Sequence, residues 1–179
     1  PGERVRLTLA VVDALGNAGA RVTGAVVFDD PAPGLELPAR VLFEAEHTGR
    51  RSIEVRVTRA GVYRVLAHGE GEFTGLAATA NPLVVRADLP RVRWGDLHGH
   101  SQLSDGSATP DQYFDYAREV AGLDVAALTD HDHWGLRALD DTPEHWQQIQ
   151  QVTQRHHEPG RFVTLLGYEW TSWLHGHRH

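Results

Sequence analysis

The chain has 179 residues, enough for one large domain or two small ones with a buried core. Hydrophobic residues make up 41% of it and charged residues 23%, proportions typical of a folded globular protein and not of a disordered one. The formal charge of −7 argues against a broad nucleic-acid surface, and the absence of cysteine excludes disulfides and thiolate zinc sites.

Residues 1–87 alternate apolar and polar side chains in short runs: Val5 to Val11, Val22 to Phe28, Ile53 to Val57 and Val62 to Ala67. A period of two is typical of half-buried β-strands, because successive side chains point to opposite faces. Turn-forming segments such as DDPAPG and HTGRR separate the runs. We therefore predict an immunoglobulin-like antiparallel β-sandwich, with a structural or docking role favoured over a catalytic one.

Residues 88–179 follow a different pattern after the connector RADLPR. Two helices are predicted, each beginning at a Thr-Pro pair: one from Thr109 to Gly122, the other from Thr142 to about His157. Three apolar segments are predicted to be strands. VRWGDLHGH precedes the first helix, LDVAALTDHD lies between the two helices, and RFVTLLGYEW follows the second helix. This β-α-β-α-β order predicts a parallel sheet.

Imidazole and carboxylate groups fall near the ends of these predicted strands. On the first strand Asp96, His98 and His100 alternate, which places all three on one face. His131 lies at the end of the second strand and Glu169 at the end of the third. Because parallel strands bring their carboxyl ends to one edge, we expect these residues to converge where α/β enzymes place their active sites. Mixed nitrogen and oxygen donors of this kind bind divalent metals.

Three aspartates beside these residues, Asp96, Asp130 and Asp132, are interpreted as partners that orient the imidazoles, with ordinary strand-end capping as the alternative. The tail HGHRH holds either further ligands or a His-rich surface tract, and Arg178 within it is a phosphate contact or a surface charge. The remaining histidines of this half are assigned to the surface: His133, His145, His156 and His157.

The segments DLHGHSQLSDG, ALTDHD and GYEW with the following GHR resemble the motifs of the PHP family, named for polymerase and histidinol phosphatase. The chain is most similar to an uncharacterised subgroup in which a sandwich-like N-terminal region leads into WGDLHGHS. The resemblance is close from Trp94 onward and loose before it. It implies a distorted (β/α) barrel of about seven strands, of which residues 88–179 would form the first part.

The resemblance also implies a metal site with two or three divalent ions, namely zinc, manganese or iron. Asp105 would supply a further carboxylate, Glu169 would bridge two ions, and His175 or His179 could replace His177 as the last ligand. The implied ligands are His98, His100, Asp105, His131, Glu169 and His177.

From these residues we predict that the full-length protein is a metal-dependent phosphoesterase, in which a metal-activated hydroxide attacks a small phosphorylated substrate. Two alternatives stay open: a metal-dependent amide or lactone hydrolase, and a non-catalytic metal-containing binding protein. No apolar run reaches 18 residues, so no membrane span is predicted. A cytoplasmic location is favoured, with a signal peptide upstream of Pro1 left open.

Overall fold

The computed structural model describes residues 2–29, 31–133 and 139–172. The chain divides into two compact units, a sandwich unit that ends at Val92 and a parallel-sheet unit that begins at Arg93. The last strand of the sandwich unit ends at Val85, and the first strand of the parallel-sheet unit begins at Gly95. The predicted boundary between residues 87 and 88 lies in the connection between these two strands.

Every described strand pairing in the sandwich unit is antiparallel. The strands are β1 Glu3–Ala10, β2 Gly24–Phe28, β3 Leu35–Glu36, β4 Arg40–Phe43, β5 Arg50–Val57, β6 Gly61–Tyr63, β7 Leu66–Gly71, β8 Ala77–Thr79 and β9 Leu83–Val85. A short 3-10 helix, Ala45–His47, joins β4 to β5.

These strands form sheets in the orders β1-β5-β3 and β4-β2-β7-β8, together with the pair β6-β9. Their inward side chains make one apolar core, in which Phe43 meets Phe73 edge-on with ring centroids 5.4 Å apart. Alternation explains the faces: in β4, Val41 and Phe43 are buried while Leu42 is exposed. The result is the β-sandwich-like region that the alternating sequence predicted.

One predicted strand is divided in the structure. The run from Val62 to Ala67 supplies the end of β6 and the start of β7, which belong to different sheets. Tyr63, which ends β6, and Val65, which lies in the break, are both buried. The alternation of apolar and polar side chains therefore continues across the break. It depends on which side chains face the core and not on which strand the backbone pairs with.

The parallel-sheet unit follows the predicted β-α-β-α-β order. Its elements are β10 Gly95–Asp96, α1 Pro110–Glu119, β11 Val125–Leu128, α2 Pro143–His156 and β12 Val163–Leu166. The strands pair in parallel in the order β10-β11-β12. Helix α1 begins with a capping box: Gln112 N–H donates to Thr109 Oγ1 at 3.2 Å, and Thr109 N–H donates to Gln112 Oε1 at 2.9 Å. Thr142 precedes α2 without such a side-chain bond.

Apolar residues of both helices and of the sheet share one core, which includes Phe114, Leu128, Ile149 and Phe162, all fully buried. Burying each such side chain contributes about 1.5–3 kcal/mol. Within the described residues this sheet has three strands and does not close into a barrel. Neither described helix has the length and apolar run needed to cross a bilayer.

Candidate metal centre

The segment after β10 carries the first two candidate ligands. The strand ends at Asp96, so His98 and His100 lie in irregular backbone beyond it and not on a continuing strand as predicted. This backbone is held by the end of the neighbouring strand: Thr129 N–H donates to Gly99 O at 2.8 Å, and Gly99 N–H donates to Thr129 Oγ1 at 3.2 Å. The two histidines are therefore placed by contact with residues after β11.

Gly99, between the two histidines, is required by a close approach of Tyr113. A side chain at position 99 would place its Cβ 2.5 Å from Tyr113 Cε2 and 2.6 Å from the phenol oxygen. That phenol donates to Ala127 O at 2.8 Å, so α1 is joined to β11 directly beneath the segment. Burial, and then the charges of Asp96 and Asp130, raise the pKa of Tyr113 to about 12. The phenol therefore stays a neutral donor.

The other strand ends meet through an isolated parallel bridge between His131 and Glu169. Glu169 N–H donates to Asp130 O at 3.1 Å, and Asp132 N–H donates to Glu169 O at 3.0 Å. Parallel pairing thus resumes beyond the ends of β11 and β12. It fixes the position of Glu169, whose residue surface is only 2% exposed.

Three imidazoles surround one carboxylate oxygen, Glu169 Oε2. The distances are 3.8 Å to His98 Nε2, 2.8 Å to His100 Nε2 and 3.4 Å to His131 Nδ1. The rings stand edge-on to one another, with centroids 4.8 Å apart for His98 and His100 and 4.5 Å for His100 and His131. The predicted convergence of these strand-end residues is present in the structure.

Asp105 completes the group, which we call the histidine centre: His98, His100, Asp105, His131 and Glu169. One Asp105 oxygen contacts His100 Nδ1, and the other lies 3.7 Å from His131 Nε2. Burial alone would raise the pKa of Asp105, but the hydrogen bond from His100 and the charges of His100 and His131 outweigh it and hold that pKa below its ordinary value. Asp105 is therefore a carboxylate near neutral pH.

The donors of the histidine centre form two overlapping groups with the spacing of a metal site. His98, His100 and Glu169 make one group and His100, Asp105 and His131 the other, with ligand atoms within 4.8 Å of one another. Two ligands on a tetrahedral ion with bonds of about 2.1 Å lie about 3.4 Å apart. The separations of 3.8 Å between His98 Nε2 and Glu169 and of 3.7 Å between His131 Nε2 and Asp105 are close to this value. Nitrogen and oxygen donors without thiolate fit zinc, manganese or iron.

His100 Nε2 supports the same interpretation. It is buried and lies 2.8 Å from Glu169 Oε2, yet it makes no hydrogen bond within the described residues. The distance between His100 Nε2 and Glu169 Oε2 is short enough for a hydrogen bond, but the angles between the two groups do not allow one. Two Lewis-basic atoms held this close fit a cation that both could bind.

The three aspartates interpreted as imidazole partners have other contacts among the described residues. Asp96 accepts a hydrogen bond from the backbone N–H of His98 at 3.2 Å. Asp132 accepts from the N–H of Thr171 at 2.8 Å and contacts the ring of His133 at 2.9 Å. These contacts join the aspartates to the backbone of the segments that carry the candidate ligands, and the orienting role stays a prediction.

Asp130 has contacts of the same kind and is fully buried. It accepts hydrogen bonds from Ser101 N–H and Ser101 Oγ, both at 2.8 Å, and from Ser104 Oγ at 2.6 Å. These bonds fix the turn that leads from His100 to Asp105. Gly106 next to Asp105 is needed because a Cβ there would collide with the backbone of His100. The turn therefore determines where the Asp105 carboxylate lies.

Two threonines contact the imidazoles and were not among the residues predicted from the sequence. Thr129 Oγ1 lies 2.8 Å from His98 Nδ1, and Thr171 Oγ1 lies 2.7 Å from His131 Nδ1. Thr129 is almost wholly buried and Thr171 entirely so. The only feature of the sequence that could have indicated them is their position, because Thr129 lies two residues before His131 and Thr171 lies two residues after Glu169.

The remaining predicted residues divide into two sets. His156 is mostly buried and bonded to Asp111 at 2.9 Å, not exposed as predicted, while His133 contacts Asp132. The tail residues lie outside the described part of the chain, so their roles stay predictions: His175, His177, Arg178 and His179.

Comparison with known proteins adds two similarities. A family model described as a protein of unknown function, DUF3604, matches residues 112–179, a stretch that contains His131 and Glu169. An uncharacterised protein of Chlamydia pneumoniae is 29% identical over 101 residues, which cover 55% of this chain and 16% of that relative. The chain thus spans only a small part of the length of the relative it matches.

Proposed function

We propose that the protein is a metal-dependent phosphoesterase that acts on a small phosphorylated substrate. The observation that carries this proposal is the convergence of three imidazoles on the buried oxygen of Glu169, with Asp105 beside them. His177 is proposed as a sixth ligand and Arg178 as a contact to the substrate phosphate, on the resemblance stated above.

Charge supports a divalent cation at the histidine centre. Glu169 is buried and Asp105 is held in its charged form, so the histidine centre gathers negative charge among its imidazoles. A cation held by these donors would offset that charge.

Bound zinc, manganese or iron ions would supply Lewis-acid chemistry, acidifying water toward neutral pH and polarising a phosphoryl group. The protein would hold them through His98, His100 and Glu169 on one side and His100, Asp105 and His131 on the other. Glu169 contacts both groups and is proposed to bridge two ions. Asp130 and the turn it bonds would keep Asp105 in place.

We also propose a specific fold for each of the two units. The sandwich-like region is proposed to be immunoglobulin-like, since its sheets are antiparallel and enclose one core. The three parallel strands, with α1 and α2 between them, are proposed to be the first part of a PHP-type distorted (β/α) barrel. The candidate ligands follow the carboxyl ends of β10, β11 and β12, where barrel enzymes place their sites.

The test uses full-length protein loaded in turn with zinc, manganese and iron, and compares Glu169→Gln with Glu54→Gln. Glu54 is an exposed residue of the sandwich unit, so the matched control makes the same chemical change away from the histidine centre. Glu169→Gln should lower both the metal content and the rate at which phosphate mono- and diesters are hydrolysed. Loss of a group that only contacts a metal ligand typically lowers activity about 10- to 100-fold, and we expect a larger loss of activity here. Glu54→Gln should leave both unchanged.

The alternatives are separated by the same samples. Cleavage of amides or lactones without cleavage of phosphate esters would replace the phosphoesterase by the second hydrolase class. Stoichiometric metal without turnover of any substrate would favour a binding protein. A Glu169→Gln enzyme as active as wild type would reject the assigned site.

A further inference from the structure

Two threonine hydroxyls have the same relation to two histidines on successive strands. Thr129, after β11, contacts His98, which follows β10; Thr171, after β12, contacts His131, which follows β11. Each histidine is thus held by the threonine that follows the next strand of the sheet. The repetition ties this contact to the parallel order β10-β11-β12 and not to one local turn.

The hydrogen-bond inventory indicates which atom donates. A threonine hydroxyl donates one hydrogen and accepts up to two. Thr129 Oγ1 accepts from Gly99 N–H at 3.2 Å and has Gly99 O at 3.3 Å as a site for its own hydrogen. Thr171 Oγ1 has Glu169 O at 3.5 Å for the same purpose. Each oxygen then has a lone pair for the N–H of its histidine.

We propose that Thr129 and Thr171 are positioning residues that hold His98 and His131 in the Nδ1–H tautomer. The Nε2 lone pairs are then directed at the ions: His98 Nε2 lies 3.8 Å from Glu169, and His131 Nε2 lies 3.7 Å from Asp105. The opposite tautomer would present an N–H, which cannot bind a cation. The inference deepens the proposed function and rests on it for the identity of the site.

Threonine suits this task for two physical reasons. Its hydroxyl is neutral, so it orients an imidazole without adding to the negative charge that Asp105 and Glu169 already provide. Its β-branched side chain has few rotamers, and full burial of Thr171 restricts it further. The ring it bonds is therefore held in one orientation before metal binds.

The test measures zinc affinity by calorimetry for Thr129→Val, Thr171→Val and the matched Thr→Ser variants. Valine keeps the branched shape and removes the hydroxyl, so affinity should fall about 10- to 100-fold, and serine should restore most of it. Thr153→Val is the control: Thr153 is also buried, and its Oγ1 makes no hydrogen bond within the described residues. It should bind zinc as wild type does.

A second measurement needs no variant. Nitrogen-15 NMR of metal-free wild-type protein at pH 8, where imidazole is ordinarily neutral, reports the tautomer of each ring. We expect both His98 and His131 to carry the proton on Nδ1. A proton on Nε2 of either ring would overturn the proposal. Valine variants that bind zinc as tightly as wild type would also overturn it. If wild-type protein binds no metal, the proposed function fails, while the tautomers still decide the positioning role.

Discussion

Two clusters in the parallel-sheet unit combine imidazoles with carboxylates, and they differ in how these groups are arranged. The histidine centre joins three imidazoles to Asp105 and Glu169. The other cluster, which we call the helix ion-pair cluster, joins α1 to α2 and to the turn after α2. Its members are Asp111, Asp115, Arg118, Glu119, Arg155, His156, Glu158 and Arg161.

In the helix ion-pair cluster, guanidinium groups lie within bonding distance of each carboxylate. Arg155 Nη2 donates to both oxygens of Asp111 at 2.7 Å, and His156 Nε2 lies 2.9 Å from the same carboxylate. Arg118 Nη1 donates to Glu158 at 2.9 Å. The chain itself supplies the positive charge, and the contacts fasten two helices together.

In the histidine centre the candidate ligand atoms converge on one point and are not spread along an interface. Residue type alone therefore does not identify a candidate metal site. His156 with Asp111 and His100 with Asp105 are the same pair of residue types. The feature that separates the two clusters is the convergence of several donors on one point.

The largest expected effect is stabilisation by metal at one cluster only. Free zinc at 100 times its Kd should stabilise the protein by about 2.7 kcal/mol, because the ion binds the folded state. Calorimetric melts with zinc and with EDTA should show the shift in wild type and in Arg155→Met, and lose it in His100→Ala. An equal shift in His100→Ala would show that zinc binds elsewhere.

A smaller effect is expected from Gly99→Ala, which tests how closely the histidine centre is built around Tyr113. The added Cβ would lie 2.5 Å from the Tyr113 ring, so overpacking should cost about 1–3 kcal/mol. Gly61→Ala is the control, since its Cβ would meet only ordinary contacts of 3.4 Å or more. Urea denaturation measures both, and equal stability for the two variants would contradict the close approach.

The smallest expected effect is that of Asp111→Asn in the helix ion-pair cluster. The Arg155 hydrogen bond holds the pKa of Asp111 below its ordinary 3.8, burial opposes this, and the His156 bond adds to the lowering. Its stabilisation is therefore fully present above about pH 5, where the unfolded carboxyl is also ionised, and is lost as pH falls through the lowered pKa. Because Asp111 is 43% exposed, solvent screens the ion pair and we expect less than about 1 kcal/mol at pH 7.

Denaturation at pH 7, 5, 4 and 3 compares Asp111→Asn with wild type, and the difference should shrink only in the last two steps. Zinc affinity should not change. A difference that is constant with pH would mean that the charge of Asp111 contributes nothing to stability.

Much of this architecture could be predicted from the chain alone. Alternating apolar residues indicated the sandwich because half-buried strands impose a period of two. The Thr-Pro starts indicated both helices, and Thr109 forms the capping box with Gln112. Parallel order then brought His98, His131 and Glu169 to one edge, since the strands run the same way.

Only the tertiary structure decided which groups contact the candidate ligands. The sequence suggested that strand geometry aligns Asp96 with His98 and His100, but β10 ends at Asp96, and the next strand end places both histidines. The aspartates beside the candidate ligands are bonded to backbone and serine groups, while Thr129 and Thr171 contact the imidazole rings. The sequence determines the period of apolar side chains, the cap of a helix and the order of strands and helices, because each depends on residues that are close together in the chain. A hydrogen bond between residues 31 or 40 positions apart depends on how the sheet brings them together.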